Sequence, residues 1–423
     1  MIATSLNFLE FHKPYLRFLG LVGCATWSDR LKQVRQAIAG NIYAKEHLEA
    51  ENELCFRLEE LAHIWERSGR FPLTLRKKRH LFFTMAFIAQ TVSLFDAVDE
   101  ASGRQLIRRI VGAIKNNPED VRALQVELAT ATHFLKNGHK VTFPDLNGDE
   151  RFDLLLHEFG GRDVEIECKF ISTDKGKKIH RADLPDFYKM IAPFLIAYIS
   201  TSSSDLIVEL TVPDRFPSSM EEKKIISDIL CAAVKSNVPV SVEGVARIDI
   251  KEAALTDLIF AADGVRLNRK RADEASGTKN RPMLLLGKKG GRTILVVVKS
   301  DKNDSVYQSI YRTLTHAASR QLTGVRPALL VARLQDIDIE ALVRVAAKDF
   351  GSEPPPNMLQ VIASRLIRGR HHEQVVSIVF LSESEIGART ADRTPSSGAA
   401  YYFDNKTSPF WGAGFNFHFV SVD

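Results

Sequence analysis

The sequence predicts an α/β protein with an N-terminal helical domain (1–115), a mixed-sheet core (116–250) and a second α/β half (251–423). Three observations lead to this prediction. Apolar residues recur at helical spacing in the first part of the chain, and short apolar runs then alternate with helical stretches. In addition, one stretch of the core aligns without gaps with a stretch of the second half. The length of 423 residues allows two or three domains.

The N-terminal part contains several helical stretches. Residues 29–68 have no internal proline, carry apolar side chains at roughly helical spacing and contain one glycine, Gly40. They therefore form either one helix or two helices with a break at Gly40. The same reasoning predicts helices over 79–98 and 104–115.

A helix with a strong start signal precedes the first predicted strand. Asn117 suits the N-cap, Pro118 suits the first helical position, acidic residues follow, and Gly138 ends the helix. Glu127 lies within this helix on a face of small and apolar residues. A carboxylate is costly to bury there unless a cation pairs with it. We expect residues 139–143 to form the first strand.

Two apolar runs joined by Gly160-Gly161 predict a β-hairpin. Asp153 opens the first run. In the second run charged and apolar residues alternate strictly, so all its charged side chains lie on one face of a strand. Glu167 and Lys169 therefore point the same way, roughly 7 Å apart at ~3.3 Å rise per residue. The adjacent strand can bring Asp153 beside them.

Two carboxylates and an amine at one hairpin suit metal-assisted hydrolysis of a phosphodiester bond. Carboxylate oxygens are the hard ligands that Mg²⁺ and Mn²⁺ prefer. Such an ion activates a water molecule and neutralises charge on the phosphate. The Lys169 ammonium can hold the water or stabilise that charge. An acid–x–lysine triplet on a solvated strand face is, however, also common without a catalytic role.

The same residues resemble the motif of the PD-(D/E)xK nuclease superfamily, which has the restriction-endonuclease-like fold. Asp153 and Glu167-Cys168-Lys169 match the motif, and Glu127 matches a glutamate that the family tends to carry on the helix before the first strand. The resemblance implies that Asp153, Glu167 and the Cys168 carbonyl hold Mg²⁺ (or Mn²⁺). It also implies that Lys169 positions or activates the water, and that Glu127 completes the metal shell or orients Lys169.

The chain departs from the family motif at one position and leaves two ligand alternatives open. Phe152, and not proline, precedes Asp153. Asp145 follows a proline within a turn and is the alternative to Asp153 as the first ligand. Glu165 shares the face of Glu167 and is either an additional ligand or a solvated side chain.

The loop that follows Lys169 is basic. Its candidate nucleic-acid-binding residues are Lys175, Lys177, Lys178 and Arg181. Such residues can contact the phosphate backbone independently of base sequence, and a solvated loop is the alternative. A helix over 184–199 and a strand over 206–212 come next. The resemblance, which covers about residues 117–213, implies that this helix and strand continue the nuclease-like core.

The second half contains a possible degenerate copy of the hairpin. When residues 151–170 are placed over 281–300 without gaps, the Gly-Gly turns coincide and Lys169 meets Lys299. Asp153 meets Met283 and Glu167 meets Val297, so the copy lacks the acidic ligands. It would be a pseudo-nuclease half that serves binding or packing. The alternative is two unrelated hairpins with the same turn chemistry.

The composition is compatible with a nucleic-acid partner, and the apolar stretches do not suggest a membrane protein. The net charge of +5 and the pI near 8.9 are mildly basic. The four cysteines have neither zinc nor redox spacing, which favours a reduced, cytoplasmic setting. We expect no apolar stretch of the ~20 residues that a bilayer span requires.

These features together predict a Mg²⁺-dependent nuclease, with endonuclease action on double-stranded DNA favoured. Many members of the superfamily serve restriction, repair or phage defence, and a role of that kind is expected here by analogy only. The chain would act as a homodimer or beside a partner protein of such a system. Two alternatives remain: a nucleic-acid-binding scaffold with an inactive nuclease-like fold, and an interaction subunit of a defence or repair complex.

Overall fold

The computed structural model describes residues 8–172, 174–255, 260–261, 264–265, 269–278, 281–287, 292–335, 337, 339–350, 357–382, 385–386, 396–397 and 399–417. The protein is mixed α/β, and its described strands form two larger mixed sheets. The chain divides into two compact units. Unit 1 consists of Met1–Val34, Glu51–Lys175 and Tyr307–Asp423, and unit 2 of Arg35–Ala50 and Gly176–Val306.

The α-helices of the described residues are α1 (His12–Val22), α2 (Ala25–Gly40), α3 (Lys45–Glu51), α4 (Glu53–Ser68), α5 (Phe82–Ala97), α6 (Glu100–Asn116), α7 (Pro118–Lys136), α8 (Pro144–Asn147), α9 (Leu184–Ile199), α10 (Met220–Ser236), α11 (Arg269–Ser276), α12 (Val306–Arg320), α13 (Ile339–Phe350) and α14 (Met358–Ile367). Short 3₁₀ turns cover Ile42–Ala44, Leu73–Lys77, Arg79–Leu81 and Arg181–Asp183.

The strands are β1 (Val141–Thr142), β2 (Leu154–Phe159), β3 (Arg162–Ile171), β4 (Leu206–Val212), β5 (Val240–Val242), β6 (Ala246–Glu252), β7 (Phe260–Ala261), β8 (Gly264–Val265), β9 (Met283–Gly287), β10 (Thr293–Ser300), β11 (Ala328–Leu334), β12 (Val375–Leu381), β13 (Glu385–Ile386), β14 (Ser396–Ser397) and β15 (Ala400–Asp404).

The helix boundaries follow the local signals in the sequence. α2 ends at Gly40, so the version of the prediction with a break there is confirmed, and the chain breaks again at Asn52 before α4. α7 begins as predicted: the Asn117 side chain accepts a hydrogen bond from the backbone N–H of Glu119 at 3.1 Å. Local capping chemistry therefore sets the start of the helix that carries Glu127.

The sheet of unit 1 has the order β1-β2-β3-β11-β12-β15. β1, β2 and β3 form an antiparallel meander, β11 is parallel to β3, β12 is parallel to β11, and β15 is antiparallel to β12. The hairpin register places Leu154 opposite Ile166. This register brings the start of β2 beside the Glu167-Cys168-Lys169 segment of β3.

The N-terminal helices of unit 1 and its sheet share one hydrophobic core. Buried side chains of α1, α4, α5, α6 and α7 belong to the same cluster as those of β2, β3, β11 and β12. Helical spacing alone cannot show which surface an apolar stripe covers. The predicted helical domain (1–115) is therefore not bounded as a separate compact unit.

The sheet of unit 2 has the order β5-β6-β4-β10-β9, and α9 and α10 contribute to its main core. β10 is antiparallel to β9 and parallel to β4, and β4 is antiparallel to β6. The predicted helix and strand, α9 and β4, are both present. They do not extend the sheet of β2 and β3, however, and the compact units differ from the predicted ranges 116–250 and 251–423 for this reason.

The two hairpins of the predicted repeat share their register over Leu154–Leu156 and Leu284–Leu286, and the first hairpin then has a register shift between Leu156 and Phe159. Leu154 faces Ile166 in the first hairpin, and Leu284 faces Val296 at the aligned positions of the second. In each unit the second hairpin strand also pairs in parallel with a strand that follows a helix. The helix–strand pairs do not stay with the hairpin that precedes them in sequence. α9 and β4 follow the first hairpin, but β4 pairs with β10 of the second. α12 and β11 follow the second hairpin, but β11 pairs with β3 of the first.

One helical stretch of the described residues is long and apolar enough to cross a membrane, namely Arg79–Ala97, with a mean hydropathy of 1.2. The expectation that no stretch has this length is wrong for these residues. About 61% of the stretch is buried inside the protein. Burial of this kind is ordinary for a core helix, and α5 supplies several side chains to the core of unit 1.

Candidate functional site

Asp153 ties the start of β2 to β3. It directly precedes Leu154, is 7% exposed, and its Oδ2 accepts a hydrogen bond from the backbone N–H of Cys168 at 2.7 Å. The predicted approach of Asp153 to the acid–x–lysine segment is confirmed. Burial raises the pKa of Asp153 to about 6, although the Lys169 ammonium and the hydrogen bond from Cys168 oppose this rise.

Glu167 is fully buried and forms an ion pair with Lys169 on the same strand. Its Oε1 accepts from the Lys169 ammonium, and its Oε2 is buried without a hydrogen-bond partner among the described residues. Burial and then the Asp153 carboxylate raise the pKa of Glu167 to about 8, against the effect of Lys169. Burial disfavours the Lys169 ammonium, but Glu167 and Asp153 outweigh it and raise the pKa of Lys169.

Glu127 reaches the same group of charges from α7, which packs against β3. It is 3% exposed, its Oε1 accepts from Nη2 of Arg109 at 2.8 Å, and its Oε2 is buried without a partner among the described residues. Burial raises the pKa of Glu127 well above its ordinary value, and the Asp153 carboxylate raises it further. Glu127, Asp153 and Glu167 therefore influence one another electrostatically, as the predicted site requires.

Arg109 and Asp145 are charged neighbours of the site that the sequence did not single out as a pair. Nη1 of Arg109 on α6 donates to Oδ2 of Asp145 on α8 at 2.6 Å, while Nη2 of the same guanidinium holds Glu127. Asp145 was the alternative ligand, and its Oδ1 is buried without a partner among the described residues. No local pattern indicates this bridge, because it joins three separate helices.

The site carries an excess of negative charge. Its four carboxylates face the guanidinium and the ammonium described above, which leaves two negative charges uncompensated when every group is ionised. Burial strengthens this imbalance, since buried like charges repel one another more than solvated ones. Burial is the main cause of the raised carboxyl pKa values of Asp153 and Glu167, and neighbouring carboxylates add to it: Asp145 acts on Asp153, and Asp153 acts on Glu167.

Oxygen donors of this kind fit a hard divalent cation. Oε2 of Glu127, Oε2 of Glu167 and Oδ1 of Asp145 are buried without a protein partner among the described residues, and leaving buried acceptors unpaired costs free energy. Carboxylate donors without thiolate or imidazole favour Mg²⁺ or Mn²⁺ over Zn²⁺. In the described part of the chain, no group of three or more His, Cys, Asp or Glu side chains is arranged so that it could hold a metal ion. Arg109 instead lies against Glu127 and Asp145, and Lys169 lies against Glu167.

Glu165 and Cys168 are both surrounded by other parts of the fold and not by solvent. Glu165 is fully buried, and both its oxygens are occupied by the backbone N–H of Thr323 at 2.8 Å, the Thr323 hydroxyl and Nε of Arg326 at 2.9 Å. The alternative of a solvated Glu165 is therefore wrong, because the loop before β11 covers it. The Cys168 thiol belongs to the hydrophobic core, and burial raises its pKa well above the ordinary value.

The four predicted basic residues are divided between the two units. Lys175 belongs to unit 1 and is exposed, and Lys177, Lys178 and Arg181 belong to unit 2. Burial and the Lys169 ammonium lower the pKa of Lys175, which places its charge within electrostatic reach of the site. Nζ of Lys178 donates to Oδ1 of Asp214 at 2.5 Å. Of the four, Lys175 is the residue that unit 1 itself presents.

Comparisons of the chain with protein-family models, with curated proteins and with solved structures found no match.

Proposed function

We propose that unit 1 is a metal-dependent nuclease that hydrolyses phosphodiester bonds of DNA. The observation that carries the proposal is the meeting of three buried acids, Glu127, Asp153 and Glu167, beside Lys169 on a helix and a β-hairpin. Burying several carboxylates together destabilises a protein unless a cation compensates them. Such costly arrangements are concentrated at functional sites.

The order of elements in unit 1 supports the proposal. α7 is followed by the meander of β1, β2 and β3, which is the order implied by the resemblance to PD-(D/E)xK nucleases. The helix and strand expected after the catalytic strand are supplied by α12 and β11, since β11 is parallel to β3. The restriction-endonuclease-like core proposed here is therefore interrupted by the larger part of unit 2.

The side chains have distinct roles in this mechanism. Asp153 and Glu167 would hold Mg²⁺ or Mn²⁺, and Glu127 would complete the shell through its unpartnered oxygen. Such an ion would supply Lewis-acid stabilisation of the phosphate and would lower the pKa of a water molecule. Lys169 orients the attacking water or stabilises the charge that develops on the phosphate. Its ion pair with Glu167 keeps the amine protonated and fixed in place.

Cleavage assays with a matched lysine pair test this function. Wild type, Lys169→Ala and Lys299→Ala would be incubated with plasmid, linear and single-stranded DNA in Mg²⁺, Mn²⁺ or EDTA. The two lysine side chains are 22% and 26% exposed, and each pairs with a buried glutamate. We expect wild type and Lys299→Ala to cut only with a metal, and Lys169→Ala to cut about 10²–10³-fold more slowly.

Two results would contradict the proposal. Equal cutting by wild type and Lys169→Ala would assign the activity to another site or to a contaminant. DNA binding without cutting, unaffected by Asp153→Ala, would instead identify a nucleic-acid-binding scaffold with an inactive site. The use of plasmid and linear DNA also separates endonuclease from exonuclease action.

A further inference from the structure

The guanidinium of Arg109 bridges two acids of the candidate site through two different nitrogen atoms. One nitrogen donates to Oε1 of Glu127 at 2.8 Å and the other donates to Oδ2 of Asp145 at 2.6 Å. Arg109 lies on α6, Glu127 on α7 and Asp145 on α8, and α6 packs against both of the other helices. A planar guanidinium fixes the direction of both bonds, which a lysine ammonium does not.

This bridge determines which oxygen of Glu127 remains available. Because Arg109 occupies Oε1, the unpartnered oxygen of this buried carboxylate is Oε2. A glutamate side chain has three rotatable bonds, and fixing them in advance avoids an entropic cost when a ligand binds. Asp145 fixes Arg109 in turn, because it accepts from the other nitrogen of the same guanidinium.

We propose that Arg109 and Asp145 form a positioning pair that presents Glu127 to a divalent cation. Arg109 acts on the metal through Glu127, and Asp145 acts through Arg109. This inference rests on the proposed function, since it assigns a metal to the same site. It adds two residues that the nuclease motif does not contain. Groups that orient metal ligands in this way typically change metal affinity by about 10–100-fold when they are removed.

Unit 1 contains a matched control arginine. Arg326 also bridges two acids, with Nε bonded to Glu165 and Nη2 bonded to Glu150, each at 2.9 Å. The side chains of Arg109 and Arg326 are 32% and 27% exposed, and each binds one almost fully buried glutamate. Removing either arginine therefore breaks two ion pairs, and removing Arg326 also removes its contact with the Phe152 ring, whose centroid lies 5.5 Å from the guanidinium carbon. Only Arg109 contacts a proposed ligand.

The test measures Mn²⁺ binding to the full chain by isothermal titration calorimetry and electron paramagnetic resonance. We expect Arg109→Ala to weaken Mn²⁺ binding by about 10-fold or more and Arg109→Lys to restore part of the affinity, because lysine keeps the charge and one donor. Arg326→Ala should lower the unfolding temperature and leave the Mn²⁺ affinity of the folded protein unchanged. Arg109→Gln provides a further variant should Arg109→Ala fail to fold.

Asp145→Asn separates positioning from direct ligation. The amide oxygen of asparagine still accepts from Arg109, so a positioning role predicts less than about a threefold loss of Mn²⁺ affinity. A loss as large as that of Glu167→Gln would make Asp145 a ligand and overturn its assigned role. Wild-type affinity in Arg109→Ala would overturn the inference and leave the nuclease proposal intact. If wild type bound no Mn²⁺, both proposals would fall together.

Discussion

The two hairpins share a register over part of their length, but their aligned lysines have different partners. In unit 1, Lys169 pairs with Glu167 of its own strand, and one oxygen of this glutamate stays without a partner among the described residues. In unit 2, Lys299 of β10 pairs with Glu209 of the parallel neighbour β4, whose other oxygen binds Lys251. Both glutamates are almost fully buried. One is therefore incompletely neutralised and the other is fully paired.

The pKa values of Glu167 and Glu209 are shifted in opposite directions. Burial raises the pKa of Glu167 to about 8, and the Asp153 carboxylate contributes to this rise. Burial also acts on Glu209, but the hydrogen bonds from Lys251 and Lys299 outweigh it and lower the pKa of that carboxyl. Met283 and Val297 occupy the positions that align with Asp153 and Glu167, so unit 2 has no carboxylates there. Unit 1 therefore keeps a charge imbalance at its hairpin that unit 2 lacks.

The largest expected effect is the loss of cleavage in Asp153→Asn. Asp205, another buried aspartate that directly precedes a strand, provides the comparison. Asp153→Asn should lower cleavage by about 10³-fold because it removes a proposed ligand. It should leave the unfolding midpoint unchanged or raised, because the amide oxygen can still accept from the backbone N–H of Cys168 and a buried charge is removed. Asp205→Asn should lower the free energy of unfolding by about 1–3 kcal/mol, because both oxygens of Asp205 accept from backbone N–H groups, those of Thr293 and Leu255, and asparagine keeps only one of them. Cleavage rates and urea unfolding measure the two effects.

The contrast would break down if the two aspartates behaved alike. Asp205→Asn should retain wild-type cleavage per folded molecule. Loss of cleavage in both variants, without loss of folding, would place the chemistry outside the first hairpin.

A second prediction concerns the pH dependence of metal binding. Since the pKa values of Asp153 and Glu167 are raised to about 6 and about 8, a bound cation must displace protons at neutral pH. The Mn²⁺ affinity should therefore rise with pH by up to about tenfold per unit between pH 6 and 8, with proton release seen by calorimetry in buffers of different ionisation enthalpy.

Unit 2 provides the reference for this pH dependence. Glu209 stays ionised over the same range because its pKa is lowered. An affinity that does not change between pH 6 and 8 would place the cation away from the raised carboxyls of unit 1.

The smallest predicted effect is a change in the free energy of unfolding when either of two buried glutamates, Glu127 or Glu209, is replaced by glutamine. Because the pKa of Glu127 is raised on folding, its contribution to stability is greatest at low pH and is lost as pH rises through the folded value. Glu127→Gln should therefore stabilise the metal-free protein by about 1 kcal/mol at pH 8 and by less at pH 5. The glutamine oxygen can still accept from Arg109.

Glu209→Gln should change stability in the opposite direction. The lowered pKa of Glu209 contributes stability above its unfolded value, which is lost as pH falls. This variant should destabilise the protein by about 1 kcal/mol at pH 8. Urea unfolding at pH 5 and pH 8 measures both variants, and the same sign for both at pH 8 would contradict the assigned difference in charge compensation.

Much of the local structure followed from the sequence. Asn117 capped the helix of Glu127 as expected, and the Gly160-Gly161 turn joined two strands in the register that brings Asp153 to Cys168. The same turn chemistry indicated the second hairpin. These features depend on residues close together in the chain, where capping, turn geometry and period-two alternation leave few alternatives.

Distant contacts were not predictable in the same way. Glu165 looked solvated on an alternating strand, but Thr323 and Arg326 cover it from a loop far along the chain. No local signal indicated the bridge from Asp145 through Arg109 to Glu127, because it depends on how three helices pack. A charged strand face shows where side chains point, but it does not show what lies opposite them.

The amino-acid sequence was sufficient to predict the hairpins and the strand face that carries Glu167 and Lys169. Only the assembled fold shows that β11, and not β4, pairs with β3, and that β4 pairs with β10. Parallel strands are joined by long crossovers, and either helix–strand pair satisfies the same local pattern. The choice between them is made by the packing of the assembled sheets, which no short stretch of sequence contains.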